Sequence, residues 1–222
     1  MSQNINDPAS IINTAESYCT NLASLAEFES NGHRYVFKVG MNEQLAKAWA
    51  ENISKEAEVA KWTADANKRF SPNEILQRNR PGATKNIVTY SLWADKGELV
   101  AVSWYQIWNP SEEKAKSIIE FCKEDKFENP YIVTSAFRVA LKYRRQGLTK
   151  LIIPLTESSY ASYLSEKFKS SVNILFTLET DENNIAAVRT YLGNGYIVIG
   201  TFDQSNRESY RGRRLLMLKR HI

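Results

Sequence analysis

Residues 131–168 restrict the fold most, because they combine a strand pattern, a short basic loop and a helix pattern. Tyr131–Leu141 is rich in β-branched and aromatic residues, which favours a strand. Apolar positions in the stretch that follows, as far as Phe168, recur at helical spacing. A strand–helix–strand pattern then runs over residues 172–202. This order predicts a mixed α/β chain.

The remaining sequence predicts further strands and helices on both sides of this segment. Asn42 is predicted to cap a helix that ends near Ile53, and residues 111–126 predict a polar helix within an insertion at 109–130. A hairpin turn is predicted at residues 95–97. The other predicted elements are the strands Tyr35–Val39, Asn86–Trp93, Leu99–Trp108 and Arg214–Lys219 and a helical stretch over 56–77.

Residues 1–30 differ from the rest in charge, because they contain acids but neither lysine nor arginine. Apolar residues between Ile11 and Phe28 recur at near-helical spacing, which predicts a helix. We therefore predict a helical extension over residues 1–30, followed by one domain over residues 31–222. The extension is expected to pack on that domain or on a second copy of the chain, so a homodimer is one of the two expected arrangements.

Composition excludes several classes of protein. The chain has 222 residues, of which 43% are hydrophobic and 24% charged, as in an ordinary soluble protein. No apolar run approaches the roughly 18–20 residues of a membrane span, and the first thirty residues do not resemble a secretion signal. Two cysteines and two histidines provide no metal-ligand spacing. We expect a cytoplasmic protein with no metal and no membrane partner.

The loop between the central strand and helix is strongly basic. Residues 138–150 contain five Lys or Arg residues and no acid. A helix N-terminus offers N–H groups and a positive dipole end to phosphate, and Gly147 allows close approach of the backbone to a ligand. This pattern predicts a phosphate site, although a basic turn before a helix is also common as plain surface. The C-terminal basic cluster, Arg211–Arg214 with Lys219 and Arg220, instead predicts a solvated edge strand.

A second informative segment covers residues 178–196. Ala187 and Tyr191 are four residues apart and share a helix face, while Ile185, Val188 and Leu192 are predicted to face the core. Glycines after Leu192 end the helix. By itself, this pattern is equally compatible with Tyr191 as a core residue.

Together, about forty residues apart, the two segments resemble the GNAT superfamily of acyl-CoA-dependent N-acetyltransferases. Arg144-x-x-Gly147-x-Thr149 resembles its pyrophosphate motif, with Thr149 where glycine or alanine is usual. Asn184-x-x-Ala187-x-x-x-Tyr191 resembles its second motif. The resemblance covers residues 86–220 well. It implies an α/β (α+β) fold with a mostly antiparallel mixed sheet, splayed parallel central strands and flanking helices.

The resemblance implies that acetyl-CoA binds between the splayed strands as a co-substrate. Backbone groups of the central strand and Asn184 would hold the pantetheine arm, and amides of the basic loop would hold the pyrophosphate. The implied cofactor-binding positions are Phe137, Arg138, Val139, Arg144, Arg145, Gln146, Gly147, Leu148, Thr149, Lys150, Asn184 and Ala187.

The implied reaction is direct attack of a primary amine on the thioester in a ternary complex. Tyr191 would protonate the leaving thiolate, and a backbone N–H near Val139 would stabilise the oxyanion. Glu179 is a candidate base, or alternatively a structural or substrate-positioning carboxylate.

The acceptor is expected to be a small-molecule or peptide amine, including a protein N-terminus or lysine. In this fold its site is walled by residues that correspond to about 52–75 and 203–212, whose aromatic and basic side chains suit a carboxylate-bearing or aromatic acceptor. The alternative function is a non-catalytic acyl-CoA-binding or sensor module. Nucleic acid is not expected as a partner, because no reader motif is present.

Overall fold

A computed structural model of the chain describes residues 22–30, 32–54, 71–78, 87–124, 127, 130–203 and 213–221. The strands in these ranges are β1 (Ala23–Ser30), β2 (His33–Val39), β3 (Val88–Ala94), β4 (Leu99–Ile107), β5 (Tyr131–Val139), β6 (Ile174–Asp181), β7 (Ile197–Asp203) and β8 (Arg213–His221). The α-helices are α1 (Glu43–Trp49), α2 (Pro72–Arg78), α3 (Glu112–Glu124), α4 (Thr149–Phe168) and α5 (Ile185–Leu192). Ala50–Ser54 continues α1 as a π-helical turn, and Leu141–Tyr143 forms a 3₁₀ turn.

The strands form one sheet in the order β1-β2-β3-β4-β5-β6-β8-β7. Only β5 and β6 are parallel among the neighbouring pairs of the described strands. The expected mixed, mostly antiparallel sheet is therefore confirmed.

The two parallel strands separate along their length. Their pairing extends only from Tyr131 opposite Ile174 to Thr134 opposite Thr177. Beyond Thr134 strand β5 still pairs with β4, and beyond Thr177 strand β6 still pairs with β8. The sheet therefore opens into a V-shaped gap at the C-terminal ends of β5 and β6, as expected for splayed strands.

Helices cover both faces of the sheet. The main core lies on the α4 face and includes Ile152, Ile153 and Tyr160. A smaller cluster, with Ile118 of α3, lies on the opposite face. Neighbouring residues of a strand point to opposite faces, so β8 contributes Met217 to the first cluster and Leu216 and Leu218 to the second. The helix predicted within residues 109–130 thus forms the second layer.

The helix predicted for residues 1–30 is wrong for its last part. Ala23–Ser30 is an edge strand antiparallel to β2, with a bulge between Ser24 and Ala26. Leu22, Leu25 and Ala26 pack on the main core, and that spacing fits a helix as well as a bulged strand. The domain therefore begins before residue 31, and residues 1–21 lie outside the described part. None of the helices in the described ranges is long and apolar enough to cross a membrane.

Several local predictions are confirmed by capping and turn geometry. The Oδ1 atom of Asn42 accepts a hydrogen bond from the Leu45 N–H at 2.9 Å, which caps α1. Gly97 has φ +71° in the turn between β3 and β4, and its N–H donates to the Ala94 carbonyl. Of the helical stretch predicted over 56–77, residues 71–77 are described, and Pro72–Arg78 is helical.

Candidate active site

Backbone groups of β5 face the gap. The Tyr131 N–H donates to the Asn173 carbonyl on the β6 side at 2.8 Å, whereas the Ala140 N–H donates to Val100 on the β4 side. Since alternate residues of a strand direct their N–H and C=O groups to the same side, Phe137 and Val139 direct theirs into the gap. The backbone of Arg138 faces β4, which corrects the expectation that its backbone would hold a ligand.

The basic loop after β5 is anchored by a buried side chain. Tyr143 is buried, and its hydroxyl donates to the Glu98 carboxylate at 2.7 Å. Lys142 pairs with the same carboxylate at 2.8 Å. Hydrogen bonds from Lys142 and Tyr143 lower the pKa of Glu98 below its ordinary value. These contacts hold the loop against the end of the β3–β4 hairpin.

The loop presents a row of backbone N–H groups at the start of α4. Those of Arg145, Gly147, Leu148 and Thr149 donate to no acceptor within the described residues, whereas the Lys150 N–H bonds back to Gly147. Arg145 and Gly147 have φ +62° and +74°, and a Cβ built on Gly147 would meet only open space. Backbone N–H groups at the N-terminus of a helix, here one of 20 residues, are suited to bind an anion.

The charged side chains of this region differ in their hydrogen-bond partners and in their exposure. The Arg144 Nε donates to the Val139 carbonyl at 3.0 Å, and a terminal guanidinium nitrogen of Arg138 donates to the Phe137 carbonyl at 2.8 Å. Both guanidinium groups therefore hydrogen-bond to carbonyls that face the gap. Arg145 is exposed, and the Gln146 amide donates within the loop to the Lys142 carbonyl. The side chain of Lys150 is also exposed.

Helix α5 places Tyr191 beside β5. The Asn184 Oδ1 accepts the Ala187 N–H at 3.3 Å and caps the helix, which leaves the amide N–H groups of Asn184 for other partners. The Tyr191 side chain is buried, with its ring 6.2 Å from that of Phe137 and 5.8 Å from that of Tyr196 between centroids. Burial raises the pKa of Tyr191, and Arg138 and Arg214 oppose that shift.

The prediction that Ile185 and Leu192 face the core is wrong. They are 53% and 49% exposed, whereas Tyr191 on the other side of α5 is buried and Ala187 packs against the main core. The helix has only eight residues, so its spacing alone was compatible with more than one buried face. The face of α5 that points to the core is the one that carries Ala187 and Tyr191.

Glu179 lies on the opposite face of the sheet from Tyr191 and pairs with two cations. The Lys114 Nζ is 2.5 Å from one carboxylate oxygen, and the Arg214 Nε is 3.8 Å from the other. Lys114 belongs to α3, so the insertion contributes to the site. The sequence contained no signal for this contact, because residues 114 and 179 are 65 positions apart.

Strand β8 is interior, which corrects the predicted edge strand for the C-terminal basic cluster. It lies between β6 and β7, and the Arg214 side chain is only 15% exposed. Arg213, its neighbour, is 65% exposed and meets Glu182. Alternation along one strand thus separates a solvent-facing arginine from one that lies at the gap.

A buried acid that the sequence did not reveal lies behind Tyr191. The Glu157 side chain of α4 accepts hydrogen bonds from the Tyr196 hydroxyl and from Lys219, both at 2.6 Å. Burial raises the pKa of Glu157, and its two partners oppose the shift. The contact of Tyr191 with the Tyr196 ring means that this cluster supports one side of the candidate site.

The acceptor walls expected at 52–75 and 203–212 lie mostly outside the described residues. The described part of these ranges comprises 52–54, 71–75 and 203. On the α3 side of the sheet, the Lys114 Nζ lies 5.7 Å from the ring centroids of both Trp108 and Phe202.

No protein-family model matches the sequence, and no curated protein matches it. Solved structures do match. An acetyltransferase of the GNAT family from Streptococcus pneumoniae aligns with TM-score 0.56 and 14% identity over 84% of this chain and 98% of its own. A ribosomal-protein-S5-alanine acetyltransferase from Vibrio fischeri has TM-score 0.57 and 10% identity over 87% of this chain and 96% of its own. An aminoglycoside acetyltransferase, AAC(6')-Ib, in complex with coenzyme A has TM-score 0.52 and 15% identity, covering 83% and 94%.

Proposed function

We propose that this chain, which has the GNAT fold that these solved structures share, is an N-acetyltransferase that transfers an acetyl group from acetyl-CoA to a primary amine. One observation carries the proposal. The gap between β5 and β6 exposes backbone groups of Phe137 and Val139, directly beside the free N–H groups at the start of α4. A ligand with an extended amide arm and a pyrophosphate requires these two features side by side.

The residues present suit acetyl-CoA. The carbonyls of Phe137 and Val139 and the Phe137 N–H would pair with the amides of the pantetheine arm, as an added strand would. The N–H groups of the loop from Arg145 to Thr149 would hold the pyrophosphate, and the Asn184 amide would donate to the arm. Arg144 would leave the Val139 carbonyl when the arm takes its place. Ala187 is small enough to leave room above Tyr191.

The chemistry proposed for these residues is proton transfer and charge stabilisation. Acetyl-CoA supplies the thioester carbonyl as the electrophile. The Val139 N–H faces the gap and would donate to the carbonyl oxygen as negative charge develops there. As the new C–N bond forms and the C–S bond breaks, the Tyr191 hydroxyl would give its proton to the sulfur. Glu179, on the other face of the sheet, would accept or position the proton of the amine.

An acyl-CoA-binding module without catalysis is the alternative. Two solved neighbours favour the enzyme, because they are AAC(6')-Ib in complex with paromomycin and acetyl-CoA and AAC(6')-Ib in complex with coenzyme A and kanamycin. In this chain, Tyr191 is buried beside Phe137, whose backbone faces the gap, and a hydroxyl there supports a proton-transfer role that pure binding does not need.

The proposal is tested by binding and turnover together. Acetyl-CoA should raise the melting temperature, because a ligand that binds only the folded state stabilises it. Release of free thiol in the presence of a library of amines should identify acceptors. A thermal shift without thiol release for any amine would support the binding module, and absence of a shift at millimolar acetyl-CoA would refute both.

Replacing Arg144 and Arg145 together by alanine should reduce the thermal shift caused by acetyl-CoA and weaken its dependence on salt. Both residues add positive charge beside the proposed pyrophosphate site, and such long-range attraction is screened by ions. The comparison uses the difference in melting temperature with and without acetyl-CoA for each variant. Arg189→Ala, which removes an exposed arginine from α5, is the control. An equal shift in the double variant and the control would contradict the assignment of the loop.

A further inference from the structure

Besides Arg144, which donates to the Val139 carbonyl, each wall of the gap carries a guanidinium group. On β5, Arg138 donates to the Phe137 carbonyl, which faces the gap. On β6, the Thr177 carbonyl accepts from the Ser135 hydroxyl of β5 at 3.4 Å, so the Glu179 carbonyl, two residues on, faces the gap too. A terminal guanidinium nitrogen of Arg214 donates to the Glu179 carbonyl at 2.8 Å. Each of these two guanidinium groups therefore donates to a carbonyl at the opening, one on each wall.

Both side chains come from the face of the sheet that α3 covers. Phe137 and Leu178 belong to the main core on the α4 face, so their neighbours Arg138 and Glu179 point the other way. Leu216 belongs to the cluster under α3, and Arg214 is in phase with it along β8. An acceptor that reaches the gap from the α3 face would meet these three charged residues first.

Helix α3 covers one side of this approach and adds another positively charged side chain. The Lys114 Nζ lies 5.7 Å from the ring centroids of both Trp108 and Phe202. Its side chain is 15% exposed and pairs with Glu179, which is 22% exposed. The approach is therefore half-buried and lined by two aromatic rings.

The charge of this approach is positive. Lys114 and Arg214 pair with Glu179, and Arg138 points to the same face of the sheet. Asp181 lies opposite Arg214, and one of its oxygens already accepts the Asn183 N–H at 2.9 Å. A cationic excess in a half-buried cleft attracts anions and repels polycations. Arginine in particular presents paired N–H groups that match a carboxylate.

We propose that the acceptor is an amine that also carries a carboxylate, as an amino acid does. Its carboxylate binds the guanidinium groups of Arg138 and Arg214, and its amine lies beside Glu179. Lys114 holds Glu179 in place. This inference rests on the proposed acetyltransferase function and narrows it: polyamines and aminoglycosides are excluded as good acceptors.

The test compares matched acceptors. The standard amino acids and their α-carboxamides are assayed for thiol release from acetyl-CoA, with spermidine and kanamycin as polycations. We expect kcat/KM for the best acid to exceed that for its amide by about tenfold or more, since hydrogen bonds to a charged group are lost in the amide. Titration calorimetry of the same acids and amides with the CoA-bound protein, in which no turnover occurs, should show that each acid binds more tightly than its amide.

Two arginine variants test whether the preference for the acid over its amide depends on Arg214. Arg214→Gln should lower the ratio of kcat/KM for the acid to kcat/KM for its amide by about tenfold. Arg213→Gln, its exposed neighbour on β8, is the matched control and should retain the preference. Faster turnover of spermidine or kanamycin, or an acid preference that survives Arg214→Gln, would overturn the inference and leave the acetyltransferase proposal standing. No turnover with any amine and no thermal shift by acetyl-CoA would refute both.

Discussion

Tyr191→Phe should lower kcat by about 100-fold or more while acetyl-CoA binds almost as well as before. The substitution keeps the ring contacts with Phe137 and Tyr196 and removes only the hydroxyl that is proposed to protonate the sulfur. Binding of acetyl-CoA should persist, because the proposed contacts are made by loop and strand backbone. The measurements are steady-state kcat with the best acceptor and the thermal shift by acetyl-CoA.

Tyr35→Phe serves as the control for this substitution. Tyr35 is also a fully buried tyrosine, but it lies on β2, three strands from β5. Its loss of a hydroxyl should leave kcat unchanged. Wild-type turnover in Tyr191→Phe would show that Tyr191 contributes only packing and that another group donates the proton.

The proposed role of Tyr191 as an acid fixes how kcat should depend on pH. Tyr191 must be protonated to act as an acid, and burial raises its pKa above the ordinary value near 10. The proton is therefore present throughout the neutral range, and Tyr191 should cause no loss of kcat below about pH 10. A decline in kcat between pH 7 and 9 that disappears in Tyr191→Phe would contradict this.

Glu157→Ala should lower the free energy of unfolding by about 3–5 kcal/mol, because it leaves the Tyr196 hydroxyl and the Lys219 ammonium group without their buried acceptor. Glu157 is 2% exposed and is the acceptor for both Tyr196 and Lys219. Urea unfolding followed by tryptophan fluorescence measures the change. Glu166→Ala removes an exposed acid from the same helix and should have little effect. A loss below 1 kcal/mol would show that the cluster is not structural.

The pH dependence of this stability has a defined sign. Burial raises the pKa of Glu157 in the folded state above its value in the unfolded chain, so the folded state holds the proton more tightly. Its contribution to stability is fully present below the unfolded pKa and is lost as pH rises through the folded pKa. Relative to Glu157→Gln, the wild type should therefore gain stability as pH falls from neutral toward about 4.3. Parallel pH profiles of the two proteins would contradict the shift.

The sequence determined the order of the central elements and the location of the candidate site. Capping by Asn42, the turn at Gly97 and the basic loop with Gly147 are local features, and each depends on residues a few positions apart. The same holds for Asn184, Ala187 and Tyr191, whose spacing places them on one short helix. Interactions within a few residues are encoded directly in the pattern of the chain, which explains why these predictions agree with the structure.

Only the tertiary structure decided which distant side chains meet at the gap. Lys114 reaches Glu179 across 65 positions, and Arg214 lies at the gap because β8 inserts between β6 and β7. Residues 23–30 form a strand because the edge of β2 supplies hydrogen-bond partners, although their spacing also suited a helix. Strand pairing and burial join residues far apart in sequence, and the energy of those contacts overrides local preference. The charge of the proposed acceptor approach therefore follows from the order of the strands and from the position of α3, and neither is encoded in any single segment.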